Sequence, residues 1–191
     1  MVSLAGSTRA QVPFKVAVAG GWTSLVEPSA VTDYWNGGFG LSVALHFRPA
    51  ARLGVWTEVA YHRCDFDTEA FESAIADRFP DVNTSGNELY VLPVTAGVEY
   101  ALTGWGNTRP YVSGGLGYYH FATNEAAASG PAAGQVQFPD PSDDAFGMSV
   151  GLGVRTLVTP AITLFIDASY HHAWASPDPI GLVPVRLGFR F

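Results

Sequence analysis

Val183-Pro184-Val185-Arg186-Leu187-Gly188-Phe189-Arg190-Phe191 places an apolar side chain at every odd position. A β-strand points successive side chains to opposite faces, so this stretch reads as a strand with two unlike faces. One face is wholly apolar. The other carries two arginines, a glycine and a proline.

Seven other stretches repeat the pattern: 14–22, 39–48, 53–62, 90–100, 111–119, 148–155 and 162–171. In 39–48, Phe39, Leu41, Val43, Leu45 and Phe47 alternate with Gly40, Ser42, Ala44, His46 and Arg48. Each stretch is about as long as a tilted strand needs to be to cross a bilayer. The second face holds small residues punctuated by isolated charges of both signs. It lacks the dense Lys and Glu of a solvated surface, but it suits the interior of an eight-stranded barrel, which side chains just fill. The apolar face then looks outward. It carries no Asp, Glu, Lys or Arg, any of which would cost about 2–4 kcal/mol at a bilayer midplane. The competing reading is a soluble, lipocalin-like eight-stranded barrel, in which the greasy face would point inward.

Composition narrows the choice. The 191 residues are 48% hydrophobic and 14% charged, which excludes a disordered chain. The net charge of −7 argues against nucleic-acid binding. One cysteine, Cys64, excludes a disulfide framework. No apolar run approaches the roughly 20 residues of a membrane helix.

The connections alternate in length. Those at 49–51, 103–108 and 159–161 are short; those at 23–36, 63–87 and 123–144 are long, with 175–179 a short exception on the long side. Short turns at one end and long loops at the other are the rhythm of an outer-membrane barrel, and an even strand number puts both termini at the short-turn, periplasmic end. Aromatic residues gather where the interfaces would lie: Trp22, Tyr61, Tyr90, Tyr118, Tyr170 and Trp174 toward the long loops, and Phe14, Phe47, Tyr100, Phe189 and Phe191 toward the turns, with Trp105 in one of them.

At this point the chain resembles the small OmpA/OmpX-type outer-membrane β-barrel family, from about Phe14 to Phe191. Gly37-Gly-Phe-Gly-Leu-Ser-Val-Ala-Leu-His-Phe-Arg-Pro49 resembles the family's second strand and turn, and Arg109-Pro-Tyr-Val-Ser-Gly-Gly-Leu-Gly117 its fifth. Arg186-Leu-Gly-Phe-Arg-Phe191 resembles its C-terminal signal, with Phe189 and Phe191 as the aromatic positions that the barrel assembly machinery reads. The resemblance implies an all-β, eight-stranded antiparallel up-and-down transmembrane barrel over residues 14–191, in the bacterial outer membrane. Residues 1–13 read as a leader or signal-peptide remnant, with Thr8-Arg-Ala10 before a cleavage point.

The inward face is expected to carry a charge network of Lys15, Arg48, Arg155, Arg186 and Arg190 with Glu58, Glu99 and Asp167, alongside His46, His62 and His171. Buried charges need partners. Asp167 and Arg186 fall at similar height on the last two strands and are expected to pair, leaving Glu58 and Glu99 for the remaining cations. With Trp56, Tyr111, Tyr119 and Phe165 also inward, the lumen is expected to be plugged.

The long loops are acidic, with residues such as Asp65, Asp67, Glu69 and Glu72 set against only Arg63 and Arg78. They are expected to be solvated and bridged by divalent cations in lipopolysaccharide. Thr68–Phe79 reads as a short amphipathic helix capped by Thr68 and folding over the mouth. Residues 123–144, rich in Ala, Gly, Pro and Ser, are expected to be mobile.

Three further readings are weighed. His62 and His171 could gather a metal with a loop aspartate. His172 with Ser176 resembles the lipid-facing pair of lipid A deacylase barrels, without their His-x-Ser-Asn order. An open lumen would make a small-solute channel. The reading adopted is a non-enzymatic outer-membrane barrel with no catalytic residue, cofactor or metal. It contributes to envelope structure or to surface interaction through its loops. Its partners are outer-membrane lipid, lipopolysaccharide and, during biogenesis, the assembly machinery. It is expected to be a monomer and to bind no nucleic acid.

Overall fold

The computed structural model describes residues 14–79, 82–86, 88–103, 106–124, 127–130, 133–136 and 143–191. The leader reading of 1–13, Trp105 and the loop acids Asp81, Glu125 and Asp140 lie outside the described residues.

The chain forms β1 (Phe14–Glu27), β2 (Trp35–Phe47), β3 (Leu53–Phe66), β4 (Asn83–Ser85), β5 (Glu88–Ala101), β6 (Thr108–Thr123), β7 (Ala127–Ser129), β8 (Asp144–Leu157), β9 (Thr163–Ala173) and β10 (Ile180–Arg190). Eight of these close a barrel in the order β1-β10-β9-β8-β6-β5-β3-β2, every pair antiparallel. β1 pairs with both β2 and β10, so no edge of the barrel sheet is left open. No helix among the described residues is long and apolar enough to cross a membrane.

The faces divide as the alternation requires. Leu41, Val150 and Leu187 are 48%, 53% and 54% exposed on the outer wall, and Leu116 and Leu152 reach 67%. The side chains of Arg186 and Asp167 are only 10% and 11% exposed, inside. Such an unbroken apolar wall is intolerable in water and appropriate against hydrocarbon. Inward glycines make room for the rings that fill the lumen. A Cβ at Gly97 or Gly115 would strike the Trp56 indole, and one at Gly153 would strike the Tyr111 ring.

Beyond extensions at other strand ends, such as β6 over Thr108–Thr123, three differences from the sequence reading stand out. First, β1 and β2 extend to Glu27 and back to Trp35, so the first long connection shrinks to 28–34 and contains α1 (Ser29–Thr32). The alternation fades there because Leu25 and Trp35 are apolar and point inward. With both faces apolar, the period-2 signal disappears although the strand continues. Second, α2 (Thr68–Ile75) is shorter than 68–79, and its N-cap is Asp67, not Thr68. The Asp67 Oδ1 accepts from the Ala70 amide at 2.9 Å, an anion at a helix N-terminus. Third, part of the connection expected to be mobile is paired: β7 lies antiparallel to β4, with Asn83 opposite Ser129. Composition does not reveal backbone pairing between two separate loops.

Candidate functional site

Charge, rings and histidines converge in the lumen, which is layered along the barrel axis. Nearest the short turns, Glu99 accepts from both Arg155 and Arg190; the Arg190 Nη2 stands 3.0 Å from Glu99 Oε2. Both guanidiniums also lie over rings, Arg155 over Tyr111 and Arg190 over Phe165. Neighbouring β9 and β10 bring Asp167 opposite Arg186. The Arg186 Nε donates to Asp167 Oδ1 at 2.9 Å, while its Nη1 reaches across the lumen to Glu58 Oε1 at 2.7 Å. Tyr111 adds a donor to Asp167 Oδ2 at 3.0 Å. One guanidinium thus clamps two carboxylates from opposite sides of the barrel, the planar fork geometry for which Arg is suited.

A neutral polar layer follows. Thr23 Oγ1 and His62 Nδ1 are 2.7 Å apart. His171 is held at both ring nitrogens, by Tyr119 Oη at 2.9 Å and Ser169 Oγ at 3.0 Å. His62 and His171 are therefore engaged with hydroxyls, and no group of three metal-ligating side chains forms among the described residues.

Toward the long loops the lumen becomes hydrocarbon. Leu25, Trp35, Cys64, Leu89, Val91, Tyr119, Phe121, Ile180 and Leu182 form one buried cluster. Phe71 of α2 packs edge-on against Tyr34 and at a tilt against Phe66, which pack onto that cluster, so the helix sits over this end of the barrel. The sequence alone does not reveal this cluster. The signal was present in Leu89-Tyr-Val91 and Ile180-Gly-Leu182, where apolar residues occupy the inward register.

Of the eight predicted network residues, the structure joins six into two clusters: Arg155, Arg190 and Glu99, and Arg186, Asp167 and Glu58. Glu58 engages Arg186 instead of one of the remaining cations. Lys15 and Arg48 lie at the turn end, without a carboxylate partner among the described residues. Between the clusters a cavity of about 40 Å³ remains, room for one or two waters. Phe189 and Phe191 are 51% and 55% exposed on the outer wall.

On the outer rim near the long loops, carboxylates sit beside tyrosines and cations. The Tyr170 hydroxyl donates to Glu27 Oε2 at 3.1 Å, and His172 Nδ1 lies 3.5 Å from the same oxygen. His120 Nδ1 is 2.6 Å from Asp144 Oδ1. Glu88 is bonded by Arg63 and Tyr90. Glu27 gives His172 a carboxylate that the sequence did not reveal. No serine hydroxyl bonds His172 among the described residues, and Ser176 instead donates its backbone amide to Asp143 at 3.2 Å. In the loops, the Ala70 amide first and the Asn36 side chain second hold the Asp67 carboxyl below its usual range.

Comparison with known proteins agrees with this geometry. The model of the outer membrane protein beta-barrel domain matches residues 1–191. Three solved structures share the fold. Neisserial surface protein A has 15% identity over 93% of this chain and 95% of its own, with a TM-score of 0.59. OprG of Pseudomonas aeruginosa has 13% identity over 94% and 97%, with a TM-score of 0.55. Ail, the attachment invasion locus protein of Yersinia pestis, in complex with the heparin analogue sucrose octasulfate, has 15% identity over 93% and 99%, with a TM-score of 0.51. No curated protein matches the chain in sequence.

Proposed function

The chain belongs to the outer membrane protein β-barrel domain family, and on that premise we propose that it is a closed, non-enzymatic barrel acting through its acidic loops. The short turns and both termini face the periplasm, and the long loops face outward. The observation that carries the reading is the filling of the lumen: two ion-pair clusters, a hydroxyl–histidine layer and an apolar plug follow one another along the axis, with only about 40 Å³ between the clusters. A solute would have to break all four.

The loops support the second half of the reading. Asp33, Asp67, Glu69, Glu72 and Asp77 lie on the first two long connections, with Asp65 at the adjoining end of β3, against Arg63 on that strand and Arg78. Ail is recorded with a sulfated polyanion; the acidic loops here are of the wrong sign for such a ligand. They suit cationic surfaces, or lipopolysaccharide phosphates bridged by divalent cations. Lipid contact along the outer wall and insertion by the assembly machinery through Phe189 and Phe191 belong to the same reading, as does a monomeric state.

Planar-bilayer recording of the refolded chain tests the closed lumen. Silence at physiological salt is expected, and steady ohmic steps would contradict it. Mass spectrometry of lipid A from cells expressing the chain or its His172→Ala variant tests the non-enzymatic half. Identical lipid A is expected, and loss of an acyl chain only with the native protein would contradict it.

A further inference from the structure

Charge divides unevenly along the barrel axis. At the short-turn end Lys15, Arg48, Arg109, Arg155 and Arg190 line an open cup of about 320 Å³. Among the described residues, Glu99 is the one carboxylate side chain paired with any of them, and it is already shared by Arg155 and Arg190. Lys15, Arg48 and Arg109 have no ion-pair partner there.

Two details show that the crowding is not incidental solvation. Arg109 and Arg155 stand directly opposite each other across the β6–β8 pair, and both belong to the inward register. Like charges so placed repel unless something lies between them. Arg190 is 4% exposed, lines the cup, and its Nε is buried with no hydrogen-bond partner among the described residues. A buried charged donor left unmatched is costly. An anion in the cup relieves the first directly and sets a counter-charge beside the second, and guanidinium forks match the oxygens of phosphate in paired hydrogen bonds.

We propose that the short-turn mouth is a binding site for a phosphate-bearing anion, gripped by Lys15, Arg48 and Arg109 against the buried wall of Arg155 and Arg190. The phosphate can come from a soluble polyphosphate or from the headgroup of an anionic phospholipid in the adjacent leaflet. Binding at the cup does not depend on which side of the membrane it opens to, or on whether the lumen conducts, so its failure and that of the proposed function are separable.

The test uses the full chain refolded in nonionic micelles, its fold checked by heat-modifiable mobility, and inorganic pyrophosphate titrated calorimetrically at low ionic strength. One saturable site per chain is expected. Arg109→Gln and Arg48→Gln should each weaken it about tenfold or more, the scale of one charge-assisted contact. Arg52→Gln, in the same turn as Arg48 but not lining the cup, should leave it unchanged. Repeating the titration in nanodiscs separates the sources. Phosphatidylglycerol that weakens pyrophosphate binding relative to phosphatidylcholine assigns the site to lipid headgroups, and equal affinity in both assigns it to a free phosphate. No saturable binding in micelles, or an Arg52→Gln loss equal to that of Arg109→Gln, would overturn the proposal.

Discussion

The two halves of the lumen are filled by opposite means. Toward the short turns Arg155, Arg190 and Arg186 are matched against Glu99, Asp167 and Glu58; toward the long loops Leu89, Val91, Phe121, Ile180 and Leu182 pack as an ordinary core. The first half is held by a matching of charges, in which deleting Glu99 or Arg186 strands two partners at once. The second is held by contact area, in which a deletion leaves a hole. The difference teaches that a barrel interior need not be filled uniformly. It also predicts that the halves will respond differently to the same kind of mutation.

Arg186→Met should produce the largest loss, because it leaves Asp167 and Glu58 buried without their cation. About 3–5 kcal/mol is expected, read as a shift of the urea midpoint in micelles. Converting all three residues to apolar side chains of similar volume should recover much of it, as replaced ion-pair triads do. A triple variant no better than the single one would mean that the cluster acts through something other than charge matching. In the apolar half, Leu182→Ala should cost about 2–5 kcal/mol, and no second substitution of charge should rescue it. Gly153→Val probes packing within the charged half, where a side chain would strike Tyr111 and the Asp167 Cβ; about 1–3 kcal/mol of overpacking is expected in the same unfolding assay.

The smallest effect lies above the plug. Asp67 caps α2 as a carboxylate, and its folded value is depressed by the Ala70 amide first. Its contribution is therefore fully present above the ordinary aspartate value of about 3.9 and is lost as pH falls through the lower, folded one. Amide exchange at Glu69–Phe71 should accelerate over that acidic window while the barrel amides stay protected. Asp67→Asn should remove the pH dependence.

The halves also differed in how far they could be read from sequence. The charged half was legible because isolated Arg, Glu and Asp stand out among small inward residues, and strand heights alone bring Asp167 beside Arg186. What stayed hidden was stoichiometry: Arg186 takes two carboxylates, so Lys15 and Arg48 are left at the mouth with Arg109, which was never counted as a lumen charge. The apolar half was illegible because alternation is a contrast between faces, and around Leu25, Leu89 and Ile180 the contrast vanishes. The same loss shortened β1 and β2 in the reading. The cap of α2 failed for a simpler reason: Asp67 and Thr68 are adjacent, both are capping types, and only geometry chooses between them.

Everything turns on which face of the wall meets lipid. The most direct measurement places single cysteines, in a Cys64→Ser background, at Leu41, Val150 and Leu187 and at the inward neighbours Ser42, Ser149 and Gly188. A nitroxide on each is then read in liposomes by spin-label accessibility. The account predicts that labels at 41, 150 and 187 relax with oxygen and are shielded from a water-soluble nickel chelate, while the inward labels are immobilised and reached by neither. Chelate access at 41, 150 and 187, with oxygen partitioning at the inward sites, would contradict it.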